Sequence, residues 1–329
     1  MLRNRNVSRF GNYGKLAVAV LFVLLVWGVK ARAVELRRIT LGYSSIGPMA
    51  TGFWMAKEIG AFEKQGIHAD LIYISSGPVV IQALIGGDLQ GGSAATNAVI
   101  NAILNGAPIL GVAGTSNRPY HRLYVQPEIN RLEDLRGKTL GVTRFGAITD
   151  NLTRILLRKN NLENAVTVRQ LGATAAVGAA FQQRVIAGAV TSDLRVGTKL
   201  PAKILVNLVD LGIPYSMQLI TVSRDYYRRN PEVVEGMIRA YTAGVAALHN
   251  QKDMALKVIA KYSRQADAQG IEEHYRDSVA NLDRIPRVES EAIATILEFM
   301  GKPGIPRETF VDDSIVERMA REGGFDKKK

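Results

Sequence analysis

Six short polar runs hold the residues best suited to grip a small molecule. They are Ser44-Ser45-Ile46-Gly47, Ser75-Ser76-Gly77, Gly92-Ser93-Ala94-Ala95-Thr96-Asn97, Gly114-Thr115-Ser116-Asn117, Arg144-Phe145-Gly146-Ala147 and Thr191-Ser192-Asp193. Hydroxyls and small residues ahead of a helix leave backbone N–H groups pointing outward, a ready site for polar or anionic groups. Ordinary N-capping by Ser, Thr, Asn or Asp explains any one run equally well. Recurrence after nearly every apolar strand favours a shared binding role. The candidate ligand-binding residues are Ser44, Ser45, Ser76, Gly77, Ser93, Ala94, Thr96, Asn97, Thr115, Arg144, Phe145, Thr149 and Ser192. Arg144 is the sharpest, because a guanidinium at a strand end pairs well with an anionic head group. Trp54 reads as a helix residue packed into its own layer.

Signatures of catalysis are missing. Gly137-Lys138-Thr139 resembles the end of a phosphate-binding loop, but Leu132 stands where the required glycine belongs. Gly42-Tyr43-Ser44-Ser45 lacks the second glycine of a nucleophile elbow. His68, His121, His249 and His274 fall at no metal-ligand spacing, and His274 beside Glu272 and Glu273 reads as part of a solvated helix face. The expectation is a binding protein with no enzymatic activity, no cofactor and no metal.

The polar runs need a scaffold, and the apolar pattern supplies an α/β one. Strands are expected at 38–43, 69–74, 89–92 and 109–113, with helices at 48–64, 79–85 and 96–104 between them. A second series places strands at 138–143, 166–171, 185–190 and 203–208, with helices at 148–159 and 175–183. From Asn230 the chain reads as helices at 231–249, 252–262, 270–282, 289–300 and 312–321. Alternating strands and helices imply parallel-rich sheets flanked by helices, with ligands at the carboxyl ends of the strands. Two segments, His121–Gln126 and Met217–Ser223, read as crossovers between two lobes. Lobe 1 is expected over 34–120, completed by the largely helical 220–329, and lobe 2 over 121–219. The cleft between them is the natural ligand site.

The first 33 residues read as a Sec-type signal peptide. Arg3, Arg5, Arg9 and Lys15 precede the apolar run Leu16–Val29, and Ala31-Arg32-Ala33 offers a small-residue cleavage site. That run is shorter than the ~20 residues needed to span a bilayer. The leader holds six basic residues and no acidic one, so its removal halves the net charge of +12. The remaining basic residues are scattered among acids, which argues against nucleic acid. With no cysteine the chain has neither disulfides nor a lipid-anchored N-terminus. A soluble, monomeric periplasmic protein is expected.

Three segments carry a family resemblance. Trp54–Ile67 (WMAKEIGAFEKQGI), Gln82–Asp88 (QALIGGD) and Leu132–Val142 (LEDLRGKTLGV) resemble, in order, segments of the nitrate/sulfonate/taurine-type solute-binding proteins of ABC importers. The resemblance implies a two-lobed type II periplasmic-binding fold. It also implies capture of a sulfonate, taurine, nitrate or thiamine-precursor pyrimidine, and delivery to a membrane permease with its cytoplasmic ATPase. One branch of this fold, the pyridoxal-phosphate-dependent thiamine-pyrimidine synthases, needs a lysine and a histidine that align with Ser93 and Asn97. That departure argues against catalysis. An exported sensory module feeding a receptor kinase is the other alternative. The exported product should have an intact mass corresponding to a chain that starts at or near Val34. A mature product retaining Leu16–Val29 would contradict the leader.

Overall fold

In Arg37–Tyr43 (RRITLGY) every second side chain from Ile39 is apolar, and Ile39, Leu41 and Tyr43 are buried along the first strand, β1. The computed structural model describes residues 35–74, 76–192, 194, 202–263, 267–323 and 325. The leader and its cleavage site, Ser75 and Asp193 lie outside the described residues.

After β1 come α1 (Thr51–Glu58), β2 (Ile67–Tyr73), α2 (Gly77–Gly86), β3 (Gly91–Ala95), α3 (Thr96–Leu104) and β4 (Ile109–Gly114). The chain continues through β5 (Arg122–Val125), β6 (Thr139–Val142), α4 (Ile148–Lys159), β7 (Thr167–Gln170), α5 (Thr174–Gln182), β8 (Gly188–Thr191) and β9 (Lys203–Asn207). It returns through β10 (Gln218–Ser223) and ends in α6 (Arg224–Arg229), α7 (Pro231–Asn250), α8 (Lys252–Ser263), α9 (Ala268–Asn281), α10 (Ser290–Phe299) and α11 (Ser314–Arg321).

Two five-stranded sheets result, ordered β2-β1-β3-β10-β4 and β7-β6-β8-β5-β9. Neither is wholly parallel. β10 runs antiparallel between β3 and β4, and β5 runs antiparallel between β8 and β9. Thus β5, which follows β4 in sequence, belongs to the second sheet, and β10, which follows β9, belongs to the first. The two connections run side by side and hydrogen-bond each other. Tyr215 N donates to Asn117 O at 2.9 Å, Met217 N to Ser116 O at 2.9 Å, and Leu208 N to His121 O at 2.9 Å.

Small residues set the close approaches. A Cβ on Gly244 of α7 would lie 2.1 Å from Gly52 O of α1, so these helices cross backbone against backbone. Tyr241, one turn earlier on α7, packs on Phe53 with ring centroids 4.8 Å apart. Trp54 packs into the core, stacked on Tyr262 at 5.4 Å and T-shaped to Tyr43 at 5.9 Å.

Three local expectations are corrected. The helix expected over 48–64 stops at Glu58, because Gly60 adopts φ +66 and turns the chain into a short 3-10 segment. The polar run from Gly92 is not a loop: 91–95 is β3, fully buried between β1 and β10. Only small residues fit there, since a Cβ on Gly92 would sit 2.9 Å from Gly42 O. His274 is not solvated. It is buried against α1, with Nε2 3.0 Å from Thr51 Oγ1.

His121 lies in the first connection and is also buried, with Nδ1 lacking a partner. Burial, aided by the neighbouring Arg122 charge, lowers its pKa from 6.5 to about 3. The folded chain therefore keeps this ring neutral while the unfolded chain protonates it below 6.5. The stability it allows is present above that pH and is lost as pH falls toward 3, at about 1.4 kcal/mol per pH unit. Urea unfolding of His121→Gln should show a shallower loss of stability from pH 6.5 to pH 4 than the parent chain. Identical pH profiles would contradict this.

Candidate functional site

The carboxyl ends of β1, β3, β6 and β8 and the amino ends of α2, α3 and α4 carry most of the candidate residues. Capping does not account for their polarity. Ser76 stands at the N-cap of α2 without a side-chain capping bond, and alanines occupy the N-caps of α1, α3, α4 and α5. Ser76 is 3% exposed and its Oγ has no partner. Gly77 beside it brings α2 against β3, where an added Cβ would meet Ala95 N at 3.1 Å. A buried hydroxyl left unpaired is costly unless something binds it.

The loop after β6 is shaped from within. Asp150 on α4 accepts from Gly146 N at 2.9 Å and from Arg154 Nε at 2.8 Å. Thr149 Oγ1 accepts from Thr143 N at 3.1 Å and shares a bond with Thr143 Oγ1 at 2.9 Å. Phe145 N donates to Gln170 Oε1 at 2.8 Å, and Gly146 takes φ +77. These bonds present Arg144 and leave the Phe145 ring half exposed. Arg144 is half-buried, its Nε is buried without a partner, and no carboxylate pairs with it among the described residues.

Two contacts join loops of the two sheets. Asn97 at the start of α3 donates through Nδ2 to Gly146 O at 2.9 Å, while its Oδ1 has no partner. Ser192 at the end of β8 meets the Ser45–Gly47 turn, where a Cβ on Gly47 would lie 3.1 Å from Ser192 Oγ. Ser44 and Ser45 are half-buried in that turn. Ser192 also hydrogen-bonds Tyr120, whose hydroxyl pKa is raised by burial and lowered by this bond. Arg122 on β5 pairs with both carboxylate oxygens of Asp277 on α9, at 2.8 and 2.7 Å. This pairing raises the already high Arg122 pKa.

Other candidates are spent inside the first sheet. Ser93 Oγ donates to Gln218 Oε1 at 2.7 Å, and Thr96 Oγ1 shares a bond with Ser216 Oγ at 3.0 Å. Thr115 Oγ1 reaches Gln218 O at 3.4 Å, and Ala94 is buried in β3. Sequence reasoning missed Ser216, Gln218, Tyr120 and the Arg122–Asp277 pair. The polar residues within the apolar run SMQLITVS were the available signal, because a buried polar side chain needs a partner.

The Ser93–Gln218 bond yields a test. Gln218→Leu strands a buried hydroxyl and should cost about 1–3 kcal/mol in urea unfolding, as should Ser93→Ala by stranding the amide. The double variant should lose less than the sum of the two, since neither partner is then left unpaired. Strict additivity would show that the bond does not form.

The alkanesulfonate-binding protein SsuA of Xanthomonas axonopodis pv. citri, solved with MOPS, superposes with a TM-score of 0.65 at 20% identity, over 74% of this chain and 84% of that one. The periplasmic nitrate-binding protein NrtA of Synechocystis PCC 6803 gives 0.68 at 12% identity, over 88% and 89%. The desulfurization enzyme DSZB gives 0.61 at 15% identity, over 87% and 100%. No curated protein matches the sequence at a significant level. The architecture is thus the periplasmic-binding-protein fold, two five-stranded sheets flanked by helices, and an enzyme shares it. The resemblance to sulfonate- and nitrate-type binding proteins holds at the level of fold. A family model described as "NMT1/THI5 like" matches residues 48–255, well over half of the sequence, and the chain belongs to that family.

Proposed function

We propose that the chain is the solute-capturing receptor of an ABC-type importer. In this reading it is exported, freed of residues 1–33, and works as a periplasmic monomer. Each sheet with its helices is one lobe, and the paired connections between the sheets are the hinge. The lobes close on a small polar organic anion, which a membrane permease then receives. The observation that carries this is Arg144: a guanidinium with a buried, unpartnered Nε at a strand end, opposite the Asn97 contact from the other sheet. Ser76 Oγ offers a neutral hydrogen bond from the first sheet. A half-buried guanidinium without a carboxylate partner is well satisfied by an anionic ligand.

Binding without catalysis is the reading we favour, although DSZB shows that the fold can host an enzyme. Ser93 and Asn97, the positions that align with the lysine and histidine of the synthases, are a hydroxyl tied to Gln218 and a carboxamide tied to Gly146. Neither supplies an amine to form an imine or an imidazole to be consumed.

A thermal-shift screen of small organic anions, taurine and alkanesulfonates first, should find a binder. At a hundred times its Kd it should add about 2.7 kcal/mol, or roughly 5–10 °C in Tm. Arg144→Ala should then weaken that binder by about 2–4 kcal/mol, and Ser76→Ala by about 1 kcal/mol. A binder whose affinity is unchanged by Arg144→Ala would refute the anionic reading.

A further inference from the structure

A cavity of about 460 Å³ opens between α2 and α3 and is bounded by the Phe145–Gly146 turn and Asn151 of α4. Its chemistry differs from that of the Arg144 region. No charged side chain lines it, and its polar atoms come from four carboxamides: Gln82, Asn97, Asn101 and Asn151. The remaining wall is apolar, with Ile81 on one side and the half-exposed Phe145 ring at the mouth.

The bonds already made fix which ends of two of these carboxamides remain. Asn97 gives its Nδ2 to Gly146 O, so its Oδ1, buried and without a partner, remains as an acceptor. Asn151 takes the Tyr215 hydroxyl on its Oδ1, so its Nδ2 remains as a donor. One acceptor and one donor on adjoining walls complement a neutral group that carries an N–H beside a C=O. Arg154 lies over the Phe145 ring at 5.7 Å and is held by Asp150, so it offers no free charge.

We propose that this cavity binds an uncharged, flat organic molecule bearing an amide, lactam or urea group. The carboxamide edge of the ligand pairs with Asn97 Oδ1 and Asn151 Nδ2, and its ring or apolar edge lies against Ile81 and Phe145. Neutral polar ligands pair well with carboxamides, which supply both donor and acceptor. A carboxylate or sulfonate there would face the unpaired Asn97 oxygen with no charged side chain in the lining to offset it. The cavity adjoins the Arg144 region across the Asn97–Gly146 contact, but its lining contains no charged side chain.

Calorimetric titration with benzamide and benzoate, nearly isosteric rings that differ in charge and in the N–H donor, tests the proposal. Benzamide should bind saturably with a millimolar Kd, as suits so small a molecule, and benzoate at least tenfold more weakly. Ala102→Trp and Ile81→Trp, which fill the cavity from opposite walls, should each abolish benzamide binding in any variant that melts cooperatively. Binding of a sulfonate found through Arg144 should survive both. Absence of saturable benzamide binding to the unaltered chain, equal or tighter binding of benzoate, or benzamide binding that persists in a folded filled variant would overturn the assignment.

Discussion

Everything in this structure follows from the exchange of one antiparallel strand between two sheets. β5 and β10 each run through the interior of a sheet, between strands of opposite direction, so neither can slip without breaking two ladders. Their connections must therefore pass between the sheets at one place, where Ser116, Asn117 and His121 hydrogen-bond to Met217, Tyr215 and Leu208. In the proposed receptor role, these bonded connections are the hinge about which the two sheets would move.

The site grows out of this arrangement rather than out of any motif. α3 begins directly after β3, and the loop after β6 is cinched by Asp150 and Thr149, so Asn97 and Gly146 meet across the divide. Ser192 and the Ser45–Gly47 turn meet likewise. Around these contacts Ser76, Asn97 and Arg144 keep buried polar atoms unpaired. Native interiors satisfy nearly all such atoms. These three stand on strand-end loops of both sheets, which favours a ligand site over a merely well-packed boundary. The Arg122–Asp277 pair, in contrast, is complete in itself and ties β5 to the C-terminal helices.

Much of the fold was legible in the sequence where side chains declared their faces. α3 over 96–104 and α4 over 148–159 were read to the residue, because apolar spacing and flanking small residues agree there. β3 was not, since GGSAA offers no apolar alternation; only the crowding of Gly92 against β1 explains why so bare a segment is a buried strand. His274 looked solvated because its sequence neighbours are acidic, yet the helix turns its ring toward Thr51. For the candidate site, composition pointed to strand-end loops but not to which of their hydroxyls are spent. Ser93 and Ser76 look alike in sequence. One is bonded to Gln218, 125 residues away, and the other has no partner. Such pairings depend on the strand exchange, which no local pattern encodes.

In the proposed receptor role, the two sheets move as lobes about the paired connections and close on ligand. The chain contains no cysteine, so two can be introduced for site-specific spin labels. Exposed Ile72 on β2 and Ile204 on β9 place one label on each sheet. Pulsed electron–electron distance measurement, with and without a sulfonate binder, then reads the motion directly. The account predicts a broad or longer distribution without ligand that collapses to one narrow, shorter distance at saturation. Superimposable distributions in the two states, with binding verified in the same labelled sample, would contradict it.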